Sequence, residues 1–344
     1  MAERAIIVGA GIGGLALGRA LKADGWDVEI HERASQLPTT GTALGMWPEA
    51  MEALDALGLG DQVRDRGVLQ RGAQFLRPDG TAFAHVRPDN PSYLVSRPLL
   101  YEILHDEALG DSVVWGSDIN DPGKLPAADL IVGADGINSP LRQAGLGPKA
   151  APRPLRTVAF RGVVPGSVDS VTETWGDGRI FGITPQEGAT TNWFACVRHD
   201  VLADHDNGIS NTDLLGSLFR DWHPAISAVL SKVDAGQIDR RNLYDAAPLG
   251  SFFQDNMVLI GDAAHAMAPN AGRGACETLV DAVDLATSLR SAGSVHDGLQ
   301  NYDRHRRRQA QRVVRVSRLL NRMSTARRFT TLRHQMMNVL ARFA

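Results

Sequence analysis

The 344-residue sequence predicts an α/β protein: a parallel sheet assembled from separated segments, an antiparallel sheet inserted into it, and a C-terminal helical segment. Three observations predict this. Short strand-like runs recur at 5–8, 28–32, 129–133 and 257–260, and the first, third and fourth are mainly apolar, as buried parallel strands require. A glycine-rich or acidic turn and then helical spacing follow the first, third and fourth of these runs. Between 157 and 198 the pattern changes to four runs rich in Val, Ile, Phe, Trp and Thr, separated by Pro, Gly and Asp turns, which reads as antiparallel strands.

The composition narrows the class. With 43% hydrophobic and 22% charged residues and a net charge of −3, the chain is neither disordered nor a general nucleic-acid binder. Its two cysteines, Cys196 and Cys276, supply no disulfide framework and no paired metal-ligand spacing, so no metal is expected and a reducing cytoplasm fits best. The first strand begins almost at Met1, leaving no room for a signal peptide. No apolar run approaches the roughly 20 residues of a membrane-spanning helix, so a soluble protein is expected.

In chain order, the first unit is strand, Gly9-Ala10-Gly11-Ile12-Gly13-Gly14, helix, and a second strand ending at Glu32. Gly9 permits the tight turn, Gly11 lets a pyrophosphate approach the backbone, and Gly14 lets the helix pack closely on the strand. Glu32 lies at the expected distance to accept hydrogen bonds from a ribose diol, and an acid there disfavours a 2′-phosphate. This is a Rossmann-like dinucleotide site, with FAD and NAD both open. A helical stretch over 48–59 ends at glycines, and Arg97 sits near the start of another helix over 96–108, where a surface arginine is the simpler reading. Between Trp115 and Ala128 little beyond a clipped hairpin fits. The third strand runs into Asp135-Gly136, a second carboxylate between a parallel strand and a helix. In the inserted sheet, alternation puts Trp193, Ala195 and Val197 on one face and Asn192, Phe194, Cys196 and Arg198 on the other. Which face meets a ligand stays open. A helix over 211–230 returns the chain to the fourth strand, and then Gly261-Asp262, Pro269, Gly272 and Gly274 lead into a helix whose positive end favours an electron-rich or anionic ligand.

Three spaced signatures, GAGIGG with Glu32, ADGINSPLR around Asp135, and LIGDAAH running on through Pro269 to Gly274, together resemble the single-component FAD-dependent aromatic hydroxylases of the para-hydroxybenzoate hydroxylase fold. The resemblance spans nearly the whole chain. It implies a discontinuous FAD-binding domain over 1–72, 92–155 and 245–300, a substrate domain over 73–91 and 156–244, and basic C-terminal helices over 301–344. Glu32 would bind the FAD ribose. Gly9, Gly11, Gly13 and Gly14 would accommodate the pyrophosphate, with Arg33 beside them, and Arg97 would contact the ribityl or phosphate region. Asp135 and Gly136 would serve FAD and the reduced nicotinamide, and Asp262 the pyrophosphate–ribityl segment. Pro269 would line the reacting side of the isoalloxazine, and Gly272, Arg273 and Gly274 would face its pyrimidine end, with residues 41–48 along the ring. NADPH or NADH would donate hydride and dioxygen would supply the inserted oxygen atom. The protein's task would be to orient the substrate and exclude water, with no protein nucleophile required. The family commonly has Gln where this chain has Arg273, which adds a cation beside the flavin or faces solvent. The segment before Asp129 is shorter than usual.

The expected reaction is hydroxylation or epoxidation of a hydrophobic, aromatic small metabolite. The alternatives are a flavin reductase or dehydrogenase on the same fold, and a non-catalytic binding protein on a nucleotide scaffold. Arg161, Phe181, Trp193, Phe194 and Cys196 are candidate substrate contacts, with core packing the competing role for the aromatics. His199, His265, Tyr244 and Cys196 are possible proton relays. From Asn301 onward there are twelve arginines and one acid, Asp303. Apolar residues at Val313, Val316, Leu320 and Met323, then Phe329, Leu332, Met336, Val339 and Phe343, predict an amphipathic helix docked on the acidic body. No nucleic-acid or membrane partner is expected, and a monomer or homodimer is.

Overall fold

The computed structural model describes residues 2–87, 89–90, 92–147, 150–206, 208–328 and 330–340. Its centre is a six-stranded sheet in the order Phe253–Gln254, Met257–Leu259, Leu130–Gly133, Arg4–Val8, Asp27–Glu32, Val113–Trp115. All neighbours are parallel except the two-residue edge strand. Ile6 and Ile7 point to opposite faces and both are fully buried, which is why these strands read as continuous apolar runs. Helices Ile12–Ala23 and Gly274–Arg290 lie against each other beside this sheet. The stretch after Trp115 forms no hairpin among the described residues. Val113–Trp115, which leads into it, pairs with Asp27–Glu32 as a parallel edge strand, and a single turn at Pro122–Lys124 follows.

A seven-stranded sheet forms the second layer, in the order Asp239–Asp245, Arg153–Pro165, Thr190–Arg198, Arg179–Gln186, Val171–Trp175, Ala73–Leu76, Ala82–Val86. Only Val171–Trp175 and Ala73–Leu76 pair in parallel. One face packs on helices Asn211–Leu218 and Pro224–Leu230, where Phe181 stacks on Trp193 at 5.8 Å and meets Phe219 edge-on at 5.1 Å. The segment expected as one helix over 211–230 is therefore two, because Pro224 cannot continue a helix and instead starts the second. The other face looks back toward a small sheet, Ala43–Met46, Ser92–Ser96, Val68–Gln70. Two side-chain contacts join these layers: Asn192 Oδ1 accepts from the Ala43 amide at 3.3 Å, and the Glu187 carboxylate accepts from Ser96 at 3.2 Å.

The helix Val295–Ser324 starts at an N-cap, Ser294, whose hydroxyl accepts from the Asp297 amide. Its buried stripe is Leu299, Tyr302, Arg306, Ala310, Val314, Ser317 and Asn321, and Val316 is exposed instead. The expected stripe through Val313, Val316 and Leu320 is thus rotated. Arg306, Ser317 and Asn321 take inward places because partners await them, and apolarity alone misplaces that face. A last helix, Thr330–Leu340, follows. Phe329, Phe343 and the side chains of Leu332 and Val339 lie outside the described residues.

Candidate active site

The glycine turn after Arg4–Val8 is held by Glu32, whose carboxylate accepts from the Ala10 amide at 2.8 Å and the Ala34 amide at 2.9 Å. Each oxygen keeps a lone pair for a ligand hydroxyl. Gly9 has φ +105, and a Cβ there would lie 2.4 Å from the Ala134 carbonyl, so the first turn nests against the strand that delivers Asp135. The space above Gly11 is open, bounded only by Tyr101 Oη and the Ala134 carbonyl at 3.8 and 4.0 Å. Gly13 also has a packing reason to lack a side chain. Its missing Cβ makes room for Thr278 of the Gly274–Arg290 helix, 2.6 Å from where it would sit, so this glycine is a helix–helix contact. Burial pushes the Tyr101 phenol upward, Arg97 pulls it back, and Glu32 and Asp262 push it up again. Arg97, Glu32 and Asp262, from three separate segments, thus all act electrostatically on Tyr101. Arg33 projects to solvent beside it.

The two acidic turns are clamped together by Arg142, a fully buried guanidinium from the helix Pro140–Leu146. It donates to the carbonyls of Ala263 at 2.8 Å, Asp262 at 3.4 Å and Ile137. Asp135 accepts from the Leu141 amide at 3.2 Å through Oδ2, while its buried Oδ1 has no partner within the protein. Burial raises the Asp135 carboxyl, with Ser139, Leu141 and Arg142 opposing the rise. Gly136, at φ +79, leaves open space beside it. The Asp262 side chain is exposed and makes no hydrogen bond among the described residues, at the start of the short helix Asp262–His265.

Beyond Pro269–Ala271, Gly272 turns at φ +63 and Gly274 starts a 17-residue helix. Trp47 Nε1 donates to the Gly272 carbonyl at 3.3 Å and Cys276 Sγ to the Gly45 carbonyl at 3.1 Å, so residues 41–48 run along this helix start. Arg273 is matched by two carboxylates. It bridges Glu49 and Glu277, both at 3.1 Å. The network continues inward: Arg306 binds Glu277 at 2.7 Å and Asp281 at 2.8 Å, and Asp281 accepts from His265 at 2.5 Å and from the Gly261 amide at 2.8 Å. Burial opposes charge on both His265 and Asp281. Their mutual attraction outweighs it, raising the histidine and lowering the aspartate. His265 is thus fixed in a buried ion pair and is no open relay.

On the sheet face that carries Asn192, a row crosses five strands: Glu173, Gly182, Phe194, Arg161 and Asp239 stand side by side. The Phe194 ring occupies the space that a Gly182 side chain would fill. Arg161 is neutralised by Asp239 at 2.9 Å. Phe75, Phe194, Leu243, Met323 and Met337 are half-buried around this face. Glu173 was invisible to sequence reasoning, because one acid in a strand reads as solvent-facing. Its tip is partly accessible, yet protein surrounds it, and burial pushes its carboxyl up to about 7 against a hydrogen bond from Trp175 Nε1 at 2.5 Å. Phe181 and Trp193 are corrections. Alternation turns both away from this face into the helix-covered core, where they are fully buried. Cys196 is on the right face but buried beneath it, and burial pushes its thiol up to about 12, which removes it as a relay. His199 binds Asn242 at the surface at 3.0 Å, and Tyr244 is exposed.

The glycine turn and both acidic turns follow the carboxyl ends of adjacent parallel strands, where such sheets bind ligands. A family described as FAD binding domain matches residues 3–114 and 120–317. The chain belongs to this FAD-binding family. The aurachin C monooxygenase/isomerase of Stigmatella aurantiaca is 32% identical over 337 residues, covering 91% of this chain and 85% of the relative. The FAD-dependent urate hydroxylase of Klebsiella pneumoniae is 28% identical, covering 88% and 85%. The crystal structure of Klebsiella pneumoniae HpxO with FAD and uric acid superposes with a TM-score of 0.86 at 24% identity, over 99% of this chain and 93% of that one. An enzyme of the FAD-dependent monooxygenase kind follows. The residues present fit the cofactor: the unpartnered Asp135 oxygen, the unengaged Asp262 carboxylate, and the open space at Gly11, Gly136 and Gly274 match its hydroxyls and phosphates. No helix among the described residues is long and apolar enough to cross a membrane.

Proposed function

We propose that the protein uses NADPH or NADH and dioxygen to hydroxylate or epoxidise a hydrophobic aromatic metabolite, held between the flavin ring and the sheet face that carries Phe194 and Glu173. Bound FAD supplies the redox chemistry, accepting hydride and activating dioxygen for transfer of one oxygen atom to the substrate. The observation that carries the reading is the Glu173–Gly182–Phe194–Arg161 row. It offers an aromatic surface, one acid near neutrality and an arginine already matched by Asp239. Such a face suits a ring bearing a neutral hydroxyl or N–H.

In this reading Glu32, Asp135 and Asp262 hold the cofactor's hydroxyls, Gly9, Gly11, Gly14 and Arg97 its phosphate region, and Pro269 faces the ring. The N-terminus of the Gly274–Arg290 helix stabilises negative charge at the pyrimidine end. Phe194, Met323 and Met337 exclude water and orient the substrate, while Glu173 hydrogen-bonds its polar group. The setting is the cytoplasm, as a monomer or homodimer. The test is a metabolite screen scored by substrate-stimulated NAD(P)H oxidation, with product formed under isotopically labelled dioxygen. A product without label would overturn the assignment in favour of a reductase.

A further inference from the structure

Beside the Pro269–Ala271 turn, a pocket of about 410 Å³ opens between the first residues of the Arg153–Pro165 strand, the end of Thr190–Arg198 and the helix Val295–Ser324. Arg156, Arg198, Arg318 and Arg322 line it, with Thr157 and Asn321 among its polar groups. The charges do not balance. Arg198 is paired with Asp200 at 2.8 Å, which Arg327 also approaches at 3.3 Å, and Arg318 shares Asp245 with Arg153. Arg156 and Arg322 have no carboxylate partner among the described residues. Six arginines thus surround two carboxylates, an arrangement whose self-repulsion an anion would relieve.

The backbone presents one of these arginines at a cost. Arg156 has φ +55, which a residue with a side chain adopts only under strain. It stands where the strand's pairing slips between Pro154 and Val158, and such bulges re-aim side chains beside functional sites. The polar wall also connects inward. Asn321, almost wholly buried, meets Thr157 Oγ1 at 3.3 Å through Oδ1 and donates through Nδ2 to Asn270 Oδ1 at 2.9 Å, and Asn270 follows Pro269 directly.

We propose that this arginine pocket binds a phosphate-bearing ligand, a phosphomonoester or pyrophosphate. Guanidinium groups arriving from three elements match the several oxygens of a multivalent phosphate better than a single carboxylate. The phosphate belongs either to the nicotinamide donor or to a phosphorylated metabolite. The inference concerns binding and stands apart from the proposed turnover, so the experiment needs no substrate.

FAD-loaded protein is titrated calorimetrically with inorganic pyrophosphate, as wild type and as the Arg156→Ala/Arg322→Ala double variant. Both side chains are exposed, so the double variant leaves no buried group unpaired. The expected result is pyrophosphate binding that weakens at least tenfold in the double variant, and that also weakens as salt rises from about 0.05 to about 0.3 M. Flavin reduction without substrate then separates the sources. A KM for NADPH or NADH that rises in the double variant assigns the phosphate to the donor, and unchanged KM values assign it to a phosphorylated metabolite. Absence of pyrophosphate binding in the wild type, or equal binding by both proteins, overturns the proposal.

Discussion

Replacing Glu173 by Gln isolates the buried acid of the sheet face. The folded carboxyl sits at about 7 against an ordinary value of 4.5, because burial outweighs the single hydrogen bond from Trp175. With its value raised on folding, the native state holds a proton that the unfolded chain releases, so stability falls as pH climbs from 4.5 to 7 and is level beyond. The difference corresponds to about 3 kcal/mol. Glutamine fits the same space and cannot ionise. The stability gap between Glu173→Gln and wild type should therefore widen in the variant's favour by about 3 kcal/mol between pH 4.5 and 8. Urea unfolding of the two FAD-loaded proteins at a series of pH values measures it. A gap that stays constant across that range would mean that Glu173 is solvated and ionised like a surface acid, and the reading of the sheet face as an enclosed pocket would fall with it.

Three further outcomes follow from the cofactor cleft and the ion network. Asp262→Ala should weaken FAD binding at least tenfold in a fluorescence titration of apoprotein with little loss of fold, since the carboxylate makes no hydrogen bond among the described residues; unchanged affinity would detach this turn from the cofactor. Arg306→Met should cost about 3–5 kcal/mol in urea unfolding, because it strands the buried Asp281 and Glu277 carboxylates, and a loss under about 1 kcal/mol would show that water reaches them. Arg273→Gln should move the flavin potential by less than about 30 mV, as its charge is already matched by Glu49 and Glu277. A larger shift in a spectroelectrochemical titration would return Arg273 to the flavin as a free cation.

The parallel strands, the glycine turn and both acidic turns could be read from the sequence because each is a local pattern of apolar run, punctuation and periodicity. Alternation likewise sorted Trp193 from Phe194. It could not say which of the two met the cleft, since that depends on helices Asn211–Leu218 and Pro224–Leu230 choosing the Trp193 face. Gly13 matched a binding motif, but the packing that also requires a glycine there comes from Thr278, a residue 265 positions away in the chain. The C-terminal stripe was misplaced because Arg306 and Asn321 turn inward for partners near residues 270–281, and no hydropathy pattern marks a paired charge as buried. Glu173 escaped for the same reason: its chemistry comes from the walls around it.

The order of strands in the six-stranded sheet bears on how the chain is made. Leu130–Gly133, which delivers Asp135, finds its outer neighbour only in Met257–Leu259, and the Asp281 that braces the Gly261 turn is itself held by Arg306. During synthesis at about 5–20 residues per second, the glycine turn and Glu32 emerge early, while the flank of Leu130–Gly133 stays unpaired until Met257–Leu259 leaves the ribosome. A ribosome stalled before residue 257 would carry a bare strand edge, a template for association with other nascent chains. Loss of the segment from Met257 onward should therefore yield insoluble protein sooner than colourless soluble protein.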